Sequence, residues 1–431
     1  MIHRRLLALV VALHGGCGGS CPEIAAERRV LDERTTAAPG PHAQVQIPLA
    51  RANAFIAELL HDQALEVPLT LPTLGPFALP ARELTAIARE VRVRPAPPGR
   101  LRFAIRLEID DARQPLTTLA LETEVVPELV RDASGAELVA GFGPGNLLAV
   151  RPELGGDAQR VLGAAIARWL PAAVRDHVPA VVLDRAAGAL GEHLTGAGYR
   201  LLQATLLRRL GELTRLRLRL PELPIAQVAV SSSEQPAERL IVDLTTELPV
   251  RRALPAAGPP GDEITVRIAG STAAELTNWA IEHRQLPQRY TRDLEPAADG
   301  EYRPRFDYLA EEPVRPIKIH VFQERGGCSY FRAGLRPELR IVDDKLEVTT
   351  LDQLVELAHA SRVLEAALWL KQLIFGSVDH ARRAASHTRL TIGGRTFTAR
   401  VVQAAVNNDA LEFELRLASE HPPVRLEPVV R

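Results

Sequence analysis

A chain of 431 residues is too long for one ordinary hydrophobic core and fits two domains of about 170 to 210 residues each. Hydrophobic residues make up 46% and charged residues 24%, an ordinary globular balance, and a net charge of -1 leaves no electrostatic footprint for nucleic acid. Only Lys318, Lys345 and Lys371 are lysines, so nearly all positive charge is arginine, a bias that base composition explains more simply than phosphate binding.

At the N-terminus His3, Arg4 and Arg5 precede an apolar run, Leu6 to Leu13, that is too short to span a bilayer as a helix and fits a secretory signal. The next stretch, His14-Gly15-Gly16-Cys17-Gly18-Gly19-Ser20-Cys21, resembles the lipobox of bacterial lipoproteins, where a cysteine after small residues receives lipid. The resemblance implies lipidation of Cys17, with Cys21 as the alternative, although His14 stands where that family has an aliphatic residue. Gly18 in place of an aspartate implies the outer membrane of a bacterial envelope. If Cys17 carries the lipid, Cys21 and Cys328 remain to pair as a disulfide in an oxidising compartment. Otherwise Cys328 is an unpaired turn cysteine in Arg325-Gly326-Gly327-Cys328.

Residues 1–21 are thus expected to be a signal peptide, and 22–44, ending in Ala38-Pro39-Gly40-Pro41, a tether. Leu49, Ala52, Ile56, Leu59 and Leu60 then predict a short amphipathic helix. Strands are predicted at Val67 to Leu71, Leu84 to Val93, Leu101 to Ile109 and Thr118 to Val126. The third is the clearest, because Leu101, Phe103, Ile105, Leu107 and Ile109 alternate with polar residues. From Asp157 to Leu220 the pattern is mostly helical, broken at Pro171 and Pro179, with a stripe through Leu183, Ala186, Ala187, Leu190 and Leu194. It hands over to a strand near Leu213, and Ile225 to Ser231 and Leu240 to Leu248 are further strands. A Pro/Gly linker follows at 253–263.

Beyond the linker the order of elements begins again. A strand at Ile264 to Ile268 leads to a helix announced by Thr272 and Glu275 in capping-box spacing, with Ala273, Leu276, Trp279 and Ala280 as its buried side. Pro316 to Phe322 and Leu339 to Val348 are predicted strands, and Thr350 with Gln353 predicts a second long helix. A hairpin at Gly393-Gly394 and a last strand with Leu411, Phe413, Leu415 and Leu417 close the chain before a tail at 419–431. The division is an N-terminal α+β lobe at 45–252 and a C-terminal one at 264–418. Their only sequence correspondence is Asn53 and Ile56 with Asn278 and Ile281.

This order, two pseudo-repeated α+β lobes joined by a Pro/Gly linker with aliphatic sheet faces, resembles the tubular lipid-binding (TULIP, BPI-like) superfamily. The resemblance implies a curved antiparallel sheet wrapped on a long helix in each lobe. It further implies a phospholipid or fatty acyl ligand. The lining expected for it is Leu101, Phe103, Ile105 and Leu107 on the sheet with Leu183, Leu190 and Leu194 on the helix. A disulfide between sheet and helix, common in that family, has no cysteine to form it in the first lobe. The competing expectation is a structural envelope lipoprotein with dry cores that docks a protein partner.

No catalytic motif competes with these readings. There is no Gly-x-Ser-x-Gly elbow, and the twelve histidines show no His-x-x-x-His spacing. Glu108, Asp110 and Asp111 are expected to form a solvated turn rather than a calcium site, and Trp169 and Trp279 to be core residues. No reaction, cofactor or metal is expected.

Overall fold

The computed structural model describes residues 20–33, 37–60, 64–69, 82–96, 99–111, 114–132, 135–140, 147–153, 158–170, 179–195, 219–220, 223–233, 238–256, 261–291, 295–324, 328–359, 382–392, 395–407 and 409–419. In chain order its elements are α1 (Ser20–Asp32), β1 (Ala43–Pro48), α2 (Leu49–Leu60), β2 (Ala64–Leu69), β3 (Arg82–Ala96), β4 (Arg100–Asp111), β5 (Gln114–Val125), β6 (Pro127–Asp132), β7 (Gly135–Ala140), β8 (Leu147–Glu153), α3 (Ala158–Trp169) and α4 (Ala180–Thr195). There follow β9 (Arg219–Leu220), β10 (Ile225–Ser233), β11 (Arg239–Thr246), β12 (Ile264–Ala269), α5 (Gly270–Glu282), β13 (Tyr302–Tyr308), β14 (Ile317–Gln323), β15 (Tyr330–Val342), β16 (Lys345–His359), β17 (Arg382–Ala385), β18 (His387–Ile392), β19 (Arg395–Asn407) and β20 (Ala410–Ser419). They make an α+β fold of antiparallel sheets, one of seven strands in the order β10-β11-β1-β12-β20-β19-β18, two of five, β2-β3-β4-β5-β8 and β13-β14-β15-β16-β17, and one of three, β6-β7-β9.

The alternation along β4 is what builds the first five-stranded sheet. Leu101, Phe103, Ile105, Leu107 and Ile109 all face one side and are buried, while Arg102 on the other side pairs with Glu124 of β5 at 2.6 Å. Gly99, at φ +63, supplies the left-handed backbone that the turn into β4 requires. Ala165, Ile166 and Trp169 of α3 and Ala186 and Ala187 of α4 close over the aliphatic face. Each large side chain so buried contributes about 1.5 to 3 kcal/mol.

The seven-stranded sheet draws on both ends of the chain. β1 pairs with β11 on one side and with β12 on the other, and β12 pairs with β20. β1 runs directly into α2 and β12 directly into α5, so the same strand-helix unit occurs twice, side by side. Each helix then lays one asparagine against a single backbone residue in a five-stranded sheet. Asn53 Oδ1 accepts from Val93 N–H at 2.6 Å and its Nδ2 donates to Val93 C=O at 3.4 Å. Asn278 does the same with Phe306, at 2.7 and 2.8 Å. β13 is an edge strand, and β2 pairs with β3 only over Arg82 to Ile87, so both asparagines occupy open ladder positions. The lone sequence correspondence between the two halves is therefore a structural equivalence, with Ile56 packed against the core and Ile281 buried.

Several expectations need correction. The helix predicted to open at Thr350 is the second part of β16, paired with β15 from Lys345 to His359. Helical spacing of Leu351, Leu354, Val355 and Ala358 is a local preference of under about 1 kcal/mol per residue, and a long ladder outweighs it. Leu339 to Val348 is not one strand but a hairpin, turned by Asp343 and Asp344 with φ 49 and 59. The capping box also fails, because α5 starts at Gly270 with no side-chain cap and Thr272 lies inside it, its hydroxyl without a hydrogen-bond partner. The buried side of α5 is Thr272, Ala274, Glu275, Asn278 and Ile281, turned inward by the asparagine's bonds, and Ala273, Leu276, Trp279 and Ala280 are only half-buried.

The stretch expected as a tether, 22–44, is held to the body along its described residues. Ile24 and Leu31 of α1 bury against Phe322 and Tyr330 of the second five-stranded sheet. Further on, Ala38 N–H donates to Val250 C=O at 2.7 Å, and the buried His42 ring lies between Thr246 Oγ1 at 2.8 Å and Ala38 C=O at 3.1 Å. The ends of the Pro/Gly stretch are pinned likewise, by Arg267 donating to Ala256 C=O at 3.0 Å and Arg239 donating to Gly261 C=O.

Asn53→Ala and Asn278→Ala should each cost roughly 1 to 3 kcal/mol, since each strands a backbone N–H and C=O. Denaturant unfolding measures this, and a loss under about 0.5 kcal/mol for both would remove the edge-capping account.

Candidate functional site

A cleft opens between α2 and the strands β12, β19 and β20, enclosing about 600 Å³ of space open to solvent. α2 exists because Leu49, Ala52 and Ile56 form a stripe that buries on the first sheet. That burial leaves Ala54, Phe55 and Glu58 facing the cleft. From the opposite wall come Ile264, Phe397, Leu415 and Leu417. Phe55 meets Phe397 with ring centroids 4.8 Å apart at 52°, a tilted pair that joins the two walls at the cleft floor.

Charge sits at the rim. Glu263 Oε1 accepts from Arg51 Nη2 at 3.2 Å and from Arg416 Nε and Nη2 at 2.9 and 2.7 Å. The two arginines are about half exposed and the glutamate is mostly covered, so their guanidinium groups remain open to water beside an apolar floor. None of the lining side chains just named is a serine, cysteine, histidine or lysine. What the arrangement can do is hold an apolar chain with its polar end at the arginines.

A second cleft is ionic. It lies between α1, α5 and β13, and Arg28, Asp32, Asn278, Arg303 and Arg305 line it. Arg305 reaches Asp32 at 3.1 Å and donates to Leu31 C=O at 3.0 Å, while Glu324 takes Arg28 at 2.8 Å and Arg289 at 2.7 Å. These bonds seat α1. Beside them Tyr330 is fully buried, and that burial, with Glu27 nearby, pushes its hydroxyl up to about 12.

No family model matches the chain, and no curated protein does. Among solved structures it is similar to P47 of Clostridium botulinum E1, with 10% identity over 87% of this chain and 98% of that one and a TM-score of 0.37. It is also similar to P47 from Clostridium botulinum A2, at 9% identity over 87% and 97% with a TM-score of 0.33. A lipopolysaccharide binding protein covers 89% of this chain and 100% of its own at 10% identity and a TM-score of 0.23. Superpositions this loose leave the functional argument to the chain's own geometry.

The residues singled out from sequence fall in three places. Leu101, Phe103, Ile105 and Leu107 are buried in the core of the first sheet, with Leu183 packed against it half-buried. Leu190 and Leu194 belong to α4, and their side chains lie outside the described residues. Cys17 also lies outside them, Cys21 is in α1, and Cys328 is disulfide-bonded and packs against the cluster of Ile24, Leu31, Phe322 and Tyr330. Phe55 and Phe397 were missed, and the one available signal was an aromatic flanking the stripe of α2.

The acidic turn is a further correction. Asp110 and Asp111 are buried, and Asp111 accepts from Trp169 Nε1 at 2.6 Å, because the indole of α3 needs an acceptor inside the core. Among the described residues no three His, Cys, Asp or Glu side chains are grouped to hold a metal, and no helix is long and apolar enough to cross a membrane. Burial, and then the neighbouring Glu108, raise the Asp110 carboxyl above its ordinary value of 3.8. The folded state therefore holds that proton more tightly than the unfolded chain, and Asp110 opposes folding increasingly as pH rises from 3.8 to its folded value, and fully above it. Asp110→Asn should raise Tm at pH 7, and its advantage should shrink as pH falls through the folded value and be gone below 3.8. An unchanged or lower Tm at pH 7 contradicts this.

Proposed function

We propose that this chain is a lipid-anchored protein of the bacterial cell envelope that binds an acyl lipid, fatty acid or phospholipid, in the cleft between α2 and the seven-stranded sheet, and catalyses no reaction. The observation that carries the reading is the Phe55–Phe397 floor under an arginine rim, in a space of about 600 Å³. The cavity proper measures about 200 Å³, room for a stretch of one acyl chain. Each methylene that leaves water for such a floor gains about 0.8 kcal/mol, so a chain of several carbons binds without any covalent step. The helix-and-sheet groove expected from the TULIP resemblance is thus assigned to α2 rather than to α3 and α4, whose shared face with β4 is filled.

The anchor belongs to the same proposal. Cys328 is disulfide-bonded, the chain has three cysteines, and α1, which carries Cys21, contributes Ile24 and Leu31 to the cluster that Cys328 packs against. We read Cys21 as its partner, which leaves Cys17 for lipid in the outer membrane. Peptide mapping without reductant should recover a Cys21–Cys328 pair, and a Cys17–Cys328 pair would overturn the anchor.

Delipidated protein titrated with a fluorescent fatty acid should take it up at micromolar concentration. Phe55→Ala should weaken uptake about tenfold, equivalent to about 1.4 kcal/mol, and lose about 0.5 to 1.5 kcal/mol of stability with the Phe397 contact. Leu107→Ala, by contrast, should cost about 2 to 5 kcal/mol of stability. Absence of uptake would favour the dry-core reading, a lipoprotein that docks a protein partner, which the filled face of β4 supports.

A further inference from the structure

Glu263 stands where the head of an acyl ligand would meet the cleft between α2 and the seven-stranded sheet. It precedes Ile264, whose partner in the ladder is Leu415, so its carboxylate lies beside Arg416 on the sheet wall and within reach of Arg51 on α2. Its Oε1 accepts from Arg51 Nη2 at 3.2 Å and from Arg416 Nε and Nη2 at 2.9 and 2.7 Å. The backbone that carries it is fixed as well. Gly261 C=O accepts from the buried Arg239, and a Cβ at 261 would come 2.7 Å from Glu414 Oε1, so this end of the Pro/Gly stretch lies close on the sheet.

The charges at the mouth suit one negative charge on a ligand. Two guanidinium groups against one carboxylate leave a single net positive charge, and the outer edges of Arg51 and Arg416 keep donors open to water. A second negative charge would find no cation to meet it. Asp262 and Glu414 already act on the Arg239 charge, and Glu58, the other acid of the lining, lies about two turns along α2 from Arg51, about 10 Å away. The cavity itself, about 200 Å³, takes one chain. We infer that Glu263 is the specificity-determining residue of this cleft, restricting it to single-chain acids whose head carries one negative charge, a carboxylate, and rejecting the doubly charged phosphomonoester. The inference rests on the reading of this cleft as an acyl site. A carboxylate head accepts from the open edges of both arginines and neutralises the one net charge. A phosphate dianion brings a further charge against the fixed carboxylate of Glu263.

The test titrates decanoate, decyl phosphate and decanol, three heads on one chain, into the delipidated full chain by calorimetry at pH 8, where a phosphate monoester with a second pKa of about 6 is largely a dianion. Decanoate should bind about tenfold more tightly than decyl phosphate. Glu263→Gln should abolish or reverse that ratio while shifting decanol by less than about twofold, and the decanol value also reports that the cleft of the variant is intact. The ratio in the unsubstituted chain tests the inference without any variant. Decyl phosphate bound as tightly as decanoate, or a ratio unmoved by Glu263→Gln in a variant that still binds decanol, overturns the role of Glu263 and leaves the acyl cleft standing. Failure of all three to bind the unsubstituted chain overturns both.

Discussion

Four backbone pairs, Ala43 with Ile268 through Gln46 with Thr265, join strands from the two halves of the chain at the middle of one sheet. The rest of the architecture depends on that seam. It sets α2 and α5, each continuous with a central strand, beside one another. It also brings α2 against strands that come more than two hundred residues later in the chain. The cleft is a product of this junction, since Phe55 lies on one side of the seam and Ile264, Phe397, Leu415 and Leu417 on the other. Neither part of the chain holds it alone.

The two asparagines show how the seam is kept from slipping. A strand edge left open beside a helix carries a stranded donor and acceptor, and a carboxamide satisfies both with one side chain. Asn53 and Asn278 do this at equivalent places, so the helices are fixed in register with the five-stranded sheets as well as with the central one. The sheets differ in what they bury. Around β4 the covered face is aliphatic, whereas on the second sheet Lys318 is fully buried between Glu312 and Glu356, and His320 Nδ1 lies 2.8 Å from the Tyr330 hydroxyl. Similar elements thus enclose a mainly aliphatic core in one case and a polar, ion-paired interior in the other.

Elements decided by local periodicity were legible in the sequence. β4 follows from its alternation, α2 from its stripe, and α3 and α4 from helical spacing bounded by Pro171 and Pro179. Elements decided by distant partners were not. β16 carries helical spacing yet is held by thirteen register pairs to β15. The buried side of α5 is polar because Asn278 must reach β13, a demand no hydrophobic pattern displays. α1 was mistaken for a tether because its two apolar anchors, Ile24 and Leu31, are a thin stripe in a polar segment, and its seat is almost three hundred residues away. The cleft was invisible for the same reason. Phe55 is an unremarked flank of one helix until Phe397 is placed against it.

The most direct test of the account is the position of a ligand. Crystals grown with a brominated fatty acid would be measured at the bromine edge. The account predicts an anomalous peak in the cleft beside Phe55 and Phe397, with the carboxylate toward Arg51 or Arg416. A peak between β4 and the α3–α4 pair, or a protein that crystallises without the fatty acid at saturating concentration, would contradict it.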